Sequence, residues 1–191
     1  MLNWICQHGW YYGAMQHQST VLIGLGSNLP WRRLSSIALI ERGFAALEDF
    51  ASGAVRRSAL YRTSPVDCPP DSGDFINAAA AFDPRPGLTA LGLLDALKAI
   101  EREYGRGILS ARNTPRPLDL DVLAFGARRM QSSRLTLPHP RAWQRAFVLV
   151  PLCDVAPHFQ WPGKDLTVKQ LLDRLDTDES VLPLPAAAQL P

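Results

Sequence analysis

The chain has 191 residues, 47% hydrophobic and 20% charged, enough apolar material for one compact domain with short tails. That content excludes a mainly disordered chain, and no apolar run reaches the roughly 18 residues that a membrane-spanning helix needs. Twenty basic against eighteen acidic side chains leave a formal charge of +2, which gives no reason to expect nucleic acid or an anionic membrane as partner.

Sixteen prolines and thirteen glycines imply a loop-rich architecture. Cys6, Cys68 and Cys153 are odd in number and share no metal-like spacing. They read as reduced thiols of a cytoplasmic protein rather than as a disulfide framework.

Residues 1–19 form an N-terminal extension without Lys, Arg, Asp or Glu but with Trp4, Trp10, Tyr11 and Tyr12. A secretory signal would need a basic start and an unbroken apolar stretch, and both are missing. The segment is expected to be a poorly ordered tail, or to precede a true start at Met15. The alternative is an aromatic segment that packs on the domain or on a partner. The domain proper is expected over 20–176, followed by a tail rich in Pro and Ala over 177–191.

In chain order, Thr20 to Leu25 is a strand leading into the turn Gly24-Leu25-Gly26-Ser27-Asn28. Pro30 suits the first turn of a helix capped by Asn28 or Ser27, and Ile37, Ile40, Phe44 and Leu47 mark its apolar face as far as Glu48. Residues 54–62 read as a strand of weak alternation, and the prolines and glycine of Thr63 to Asp74 demand a loop. Phe75 to Phe82 reads as a strand covered on both faces. Leu93, Leu97, Ile100 and Tyr104 define a second helix, with Gly105 placed for a left-handed C-terminal cap. A second loop covers 106–117, a strand runs from Leu118 to Phe125, and 141–154 is expected to be helical but interrupted by Pro151. The order β-α-β-β-α-β is the split βαβ pattern: a ferredoxin-like α+β fold, with an antiparallel sheet, helices packed on it and extra C-terminal elements.

The sharpest chemical signal is Leu118-Asp119-Leu120-Asp121-Val122. Strand period two puts Asp119 and Asp121 on one face, about 7 Å apart along the strand, and the aliphatic residues on the other. Such a pair repels itself unless a cation intervenes, and hard oxygen ligands suit Mg²⁺ completed by phosphates and water. Two solvated aspartates on a half-exposed strand are the ordinary alternative. Arg106, Arg112 and Arg116 precede the pair, and Arg134, His139, Arg141 and Arg145 follow it. Carboxylates flanked by guanidiniums suit transfer of phosphate groups from a nucleotide. Gly24-Leu25-Gly26 has Leu29 where a dinucleotide fingerprint needs its third glycine, and no Gly-Lys-Ser/Thr cradle occurs. An ATP site here must be of another kind.

The ordered motifs Gly24-Leu-Gly-Ser-Asn28, Tyr61-Arg-Thr63, Phe75-Ile-Asn77, Arg116-Pro-Leu-Asp-Leu-Asp121, Leu137-Pro-His-Pro-Arg141 and Arg145-Ala-Phe147 resemble the 6-hydroxymethyl-7,8-dihydropterin pyrophosphokinase family of folate biosynthesis. The resemblance covers about residues 20–162 and implies a ferredoxin-like fold. It implies transfer of pyrophosphate from ATP to the pterin hydroxymethyl oxygen with release of AMP, two Mg²⁺ ions, and a cytoplasmic monomer without nucleic-acid or membrane partners. Matched residue by residue, Asp119 and Asp121 take the metal positions, and Arg106 and Arg116 approach the transferring phosphates. Lys98, Glu101, Arg112, Val122, Arg134, Thr136, His139 and Arg145 fall around ATP. Thr63, Val66, Phe75, Asn77 and Phe147 fall at the pterin pocket. The Asn77 amide can pair with the donor and acceptor edge of a 2-amino-4-oxo ring, and Phe75 shares its strand face.

The sequence departs from the family at the second loop, where Arg112-Asn113-Thr114-Pro115-Arg116 stands for the usual Arg-Trp-Gly-Pro-Arg. Asn113 thus occupies the lid position without an aromatic ring, forgoing roughly 1–2 kcal/mol of stacking. Ile108 replaces a common arginine, and Ser64 a usual proline. Two alternatives follow: a divergent paralogue acting on a related pterin, or a non-catalytic ferredoxin-like module that binds a pterin, a nucleotide or RNA. Retention of both aspartates argues against a dead binder, and the alanine-rich strand 75–82 argues against an RNA-reading sheet.

Overall fold

A computed structural model describes residues 19–67, 73–105 and 115–185. Its central strand is β1 (Val21–Ser27), in which only Gly24 is not fully buried. β1 is flanked by strands still to come in the chain. β2 (Arg56–Arg57) and β3 (Tyr61–Thr63) both pair with β4 (Phe75–Phe82), which in turn pairs with β1. β5 (Asp119–Phe125) covers the other edge of β1, and every one of these pairings is antiparallel. β6 (Met130–Gln131) and β7 (Thr136–Leu137) make a separate hairpin, and β8 (Val181–Pro183) closes the main sheet in the order β5-β1-β4-β3-β8.

Both faces of the sheet are covered, which explains the near-continuous apolar reading of β1 and β4. Val21, Ile23, Leu25, Ala78, Ala80, Leu120 and Val122 pack under α1 (Ser36–Leu47) and α2 (Ala90–Glu103), against Ile40, Phe44, Leu93 and Leu97. Leu22, Ala79, Ala81, Leu123 and Ala124 face α3 (Ala146–Val155) and α4 (Val168–Asp173), against Leu149, Leu152, Trp161 and Leu171. Small alanines on β4 let both helix layers approach closely. The β1–β5 register skips one residue, so that Leu22 opposes Ala124 while Ile23 opposes Val122. The extra residue, Leu123, joins Ala124 on the α3 face, as a bulge requires. Phe125 beyond it returns to the α1–α2 core.

Several expectations are met: β1, β4, β5 and α2 lie where the sequence places them, and Gly105 has φ +86° at the end of α2. Others are corrected. α1 begins at Ser36 under a Ser35 cap (Ala38 N–H to Ser35 Oγ, 3.2 Å), not near Pro30. Trp31 and Leu34 instead bond each other in both directions at 3.0 and 2.9 Å across a tight turn with Arg32 at φ +53°. The strand expected over 54–62 is split, because Ser58 turns its Oγ to the Ala79 N–H at 2.8 Å. Pro151 lies inside α3 and gives up a helical hydrogen bond without ending the helix. α4, the β6–β7 hairpin and β8 carry too few residues for a periodic signal. β8 draws Val181–Pro183 out of the expected C-terminal tail and into the sheet.

The observed class is mixed α/β with an antiparallel sheet. No described helix is long and apolar enough to cross a membrane.

Candidate active site

Two adjacent rows across the sheet build the site. In one, Asp119 of β5, Gly26 of β1 and Asn77 of β4 are register partners; in the next, Asp121, Gly24 and Ala79. The glycines have no side chains to fill the space between the carboxylates and the Asn77 amide. A Cβ on Gly26 would lie 2.9 Å from Asn77 Oδ1, closer than real Cβ contacts allow. The result is a cleft of about 670 Å³ that brings together Thr63, Ser64, Val66, Phe75, Asn77, Arg116, Asp119, Asp121, His139, Arg141, Arg145 and Phe147. A second recess of about 380 Å³, sharing Asn77, Asp119, Asp121 and Phe147 with the cleft, is lined also by Gly24, Ala79, Leu123 and Val148.

At one wall, Asn77 is 7% exposed and its Nδ2 donates to Thr63 Oγ1 at 2.7 Å. That bond fixes the orientation of the amide, leaving Oδ1 toward the Gly26 gap. Phe147 enters from the start of α3, with the Arg145 guanidinium 5.3 Å from its ring centroid, and its backbone N–H donates to Glu179 Oε2 at 3.2 Å.

At the other wall, Arg116 Nη1 lies 2.8 Å from Asp119 Oδ2. Asn28 anchors this arginine through two bonds: its Oδ1 accepts from Arg116 N–H at 2.8 Å, and its N–H donates to Arg116 O at 3.2 Å. Lys98 reaches up from α2, its Nζ 2.7 Å from Glu101 Oε1, 3.3 Å from Leu120 O and 3.9 Å from Asp121 Oδ1. Glu101 is fully buried and accepts from Leu120 N–H at 2.8 Å. Burial holds its carboxyl above the usual range, with the Lys98 ammonium opposing that shift.

Asp67, on the loop after β3, meets two arginines at once: Arg145 Nη2 at 3.0 Å and Arg141 Nη1 at 3.3 Å. It stands in a left-handed conformation, φ +54°, as Asp tolerates better than most residues. Beside them the His139 backbone N–H bonds Leu123 O at 2.8 Å. Burial, then the Arg145 and Arg141 charges, push the His139 imidazole down to about 4. It is neutral at physiological pH, and because its Nδ1 accepts the Arg141 backbone N–H at 3.3 Å, the proton sits on Nε2, which is left as a donor.

Five of the expected nucleotide residues do not line this cleft: Lys98 and Glu101 on α2, and three more. Val122 points into the α1–α2 core, Arg134 on the β6–β7 turn pairs with Asp95 of α2, and Thr136 lines a separate shallow groove beside Pro138 and Pro162. Arg106, Ile108, Arg112 and Asn113, like Cys6 and Cys68, lie outside the described residues. Sequence reasoning missed Asp67, Asn28 and Glu179, whose partners are distant along the chain. It read Gly24 and Gly26 as a turn, a failed dinucleotide motif and part of a family motif, but not as the open floor of the cleft. Among the described residues no group of three or more His, Cys, Asp or Glu side chains could hold a metal. The protein's own contribution to a cation would be the carboxylate pair, the number that Mg²⁺ takes when phosphates and water complete its shell.

Residues 22–157 match the family model described as 7,8-dihydro-6-hydroxymethylpterin-pyrophosphokinase (HPPK). The chain is 43% identical over 142 residues to a Pseudomonas aeruginosa protein named 2-amino-4-hydroxy-6-hydroxymethyldihydropteridine pyrophosphokinase, covering 74% of this chain and 83% of that one. It is 43% identical over 153 residues to the mitochondrial folate synthesis bifunctional protein of Arabidopsis thaliana, where the match covers 74% of this chain. It spans only 25% of that plant relative's length. Among solved structures, wild-type Plasmodium falciparum HPPK-DHPS with SDX-DHP superposes with a TM-score of 0.61 at 13% identity, over 81% of this chain and 44% of the other. That likeness speaks for the fold alone.

Proposed function

This chain belongs to the 7,8-dihydro-6-hydroxymethylpterin-pyrophosphokinase family, and from that premise we propose that it transfers the pyrophosphoryl group of ATP to the hydroxymethyl oxygen of 6-hydroxymethyl-7,8-dihydropterin, releasing AMP, in folate synthesis. The observation that carries the reading is the two-row arrangement: a fixed Asn77 amide and a pair of carboxylates face one cleft across side-chain-free Gly24 and Gly26.

In this reading Asn77 pairs with the polar edge of the ring, and Thr63, Val66, Phe75 and Phe147 enclose it, with Asn113 at the lid. Asp119 and Asp121 would hold Mg²⁺, two ions in the full complex; the carboxylate pair fits hard-cation chemistry. Mg²⁺ bound there neutralises and orients phosphate oxygens. Arg116 and Arg145, with Arg106 and Arg112 from the second loop, bind the polyphosphate and stabilise the charge that spreads over its oxygens in transfer. Arg116 already neutralises Asp119, so its guanidinium is held in place beforehand. Neutral His139 adds a hydrogen-bonding group without a further positive charge. Lys98 stands on the nucleotide side, and Glu101 acts there by holding Lys98 toward Asp121, whereas the core position of Val122 and the separate places of Arg134 and Thr136 take those three out of the proposed ATP contacts.

The finer fold reading is ferredoxin-like, supported by the antiparallel order β5-β1-β4-β3 with α1 and α2 on one face. The catalytic domain is taken as residues 20–176 extended by β8. A cytoplasmic monomer completes the reading, supported by the free thiol of Cys153 and by a cleft built within one chain. Incubation with ATP, Mg²⁺ and the pterin tests it. AMP should accumulate only when all three are present, and pterin-independent release of ADP would overturn the assignment.

A further inference from the structure

The family match ends at residue 157, yet the chain returns to the cleft at Glu179 and Ser180. There Val181 and Leu182 of β8 pair with Thr63 and Arg62. Just before β8, Ser64 N–H donates to Ser180 O at 3.1 Å, and Ser180 N–H donates to Ser64 Oγ at 3.2 Å. The residue before that, Glu179, accepts the Phe147 N–H at 3.2 Å. Thr63 and Ser64, at the end of β3, and Phe147, at the start of α3, all line the cleft. Two consecutive residues therefore tie these two lining elements to each other.

The Glu179 contact has a local reason. Phe147 is the second residue of α3, where the backbone N–H groups have no partner within the helix. The cap position is held by Arg145, whose side chain only donates, and it makes no capping bond. Glu179 brings from a distant segment the acceptor and negative charge that a helix start favours. This bond is not part of the β8 ladder, so the edge strand could pair with β3 without it.

We propose that Glu179 and Ser180 are positioning residues of the pterin cleft, setting the distance between the Ser64 wall and the Phe147 ring and so the fit of the bicyclic ligand. The identity of that ligand rests on the functional reading above; the clamp itself does not. Neither residue touches the reacting atoms. Losing the clamp loosens the ring's wall and leaves the carboxylates and arginines in place.

The test uses the full-length chain as wild type, Glu179→Ala, Glu179→Gln and Ser64→Pro. Glutamine keeps an oxygen that can accept the Phe147 N–H, whereas proline at 64 removes both the N–H and the hydroxyl that bind Ser180. Glu179→Ala and Ser64→Pro should raise KM for the pterin about 3- to 10-fold, the effect of losing one cap or hydrogen bond. KM for ATP should stay within about twofold, and Glu179→Gln should return the pterin value to near wild type. Equal losses for both substrates, no change in Glu179→Ala, or no rescue by glutamine would overturn the proposal. Amide hydrogen exchange on the ligand-free protein decides the contact independently of any activity. The Phe147 amide should exchange faster in Glu179→Ala and at the wild-type rate in Glu179→Gln, and an unchanged rate in Glu179→Ala would overturn the clamp. A wild-type chain that ignores the pterin contradicts the functional reading instead, and the exchange result still stands.

Discussion

Gly26→Ala probes the construction of the cleft with a single methyl group. Gly26 is an extended residue of β1 without a positive φ, so alanine meets no backbone penalty. The cost comes from its neighbours, since the new Cβ would sit 2.9 Å from Asn77 Oδ1. Asn77 cannot swing away freely, because its Nδ2 is bound to buried Thr63 at 2.7 Å. Either that bond breaks, at about 1 kcal/mol, or the strands shift, at about 1–3 kcal/mol for overpacking. Both outcomes misplace the amide proposed to read the ring. Pterin affinity should fall about 10- to 100-fold, as for a ligand whose polar edge is left unpaired. Gly24→Ala is the matched control, because its Cβ would meet the Leu123 side chain at 3.4 Å, an ordinary contact. Calorimetric titration with the pterin in the presence of a non-hydrolysable ATP analogue reads the difference, and thermal unfolding checks that both variants fold. A Gly26→Ala protein that binds the pterin as wild type does, or a Gly24→Ala protein equally impaired, would refute the reasoning.

Asp121→Asn should reduce turnover by roughly 100-fold or more while leaving the unfolding midpoint within a few degrees, since a carboxylate proposed to hold Mg²⁺ is lost from a half-exposed position; activity within threefold of wild type would remove Asp121 from the metal site. Asp67→Asn should tighten binding of the ATP analogue about two- to fivefold, because Arg141 and Arg145 lose a competing carboxylate whose exposed ion pairs contribute ~0.2–1 kcal/mol, and unchanged or weaker calorimetric affinity would contradict that. His139 titrates at about 4 in the fold against 6.5 for the free side chain, so between these values the unfolded chain binds more protons than the native one. Stability should therefore fall as the pH drops from 6.5 to 4, by up to about 3 kcal/mol at 1.36 kcal/mol per unit; denaturant unfolding of His139→Gln should show a flatter pH profile, and an unchanged slope would refute the shift.

The strongly periodic elements were legible in the sequence. Leu93, Leu97, Ile100 and Tyr104 could belong only to a helix, and the alternation of Asp119 and Asp121 with leucines could only split them onto one strand face. Both readings rest on local spacing, which the chain carries within a few residues. The start of α1 was misplaced because Asn28, a good cap in isolation, spends its side chain on the Arg116 backbone, 88 residues away. The same cause hid Asp67 and Glu179: each is an ordinary exposed acid until the fold brings Arg145 or Phe147 to it. Strand β8 was invisible for a different reason. Three residues ending in a proline carry no period, and only the free edge of β3 makes them a strand. The glycines of β1 show a third limit, since their meaning lies in the register partners Asn77 and Asp119 rather than in their own spacing.

Tracing the β-phosphorus of ATP shows whether a two-phosphorus unit moves. In the proposed reaction the pterin hydroxymethyl oxygen attacks that phosphorus, the bond to the α-phosphate oxygen breaks, and AMP departs. With ATP labelled at the β-phosphate, Mg²⁺ and 6-hydroxymethyl-7,8-dihydropterin, all of the transferred label should be found in the pterin diphosphate and none in the nucleotide product. Label retained in ADP beside a pterin monophosphate would mean that a single phosphoryl group is transferred and would contradict the account.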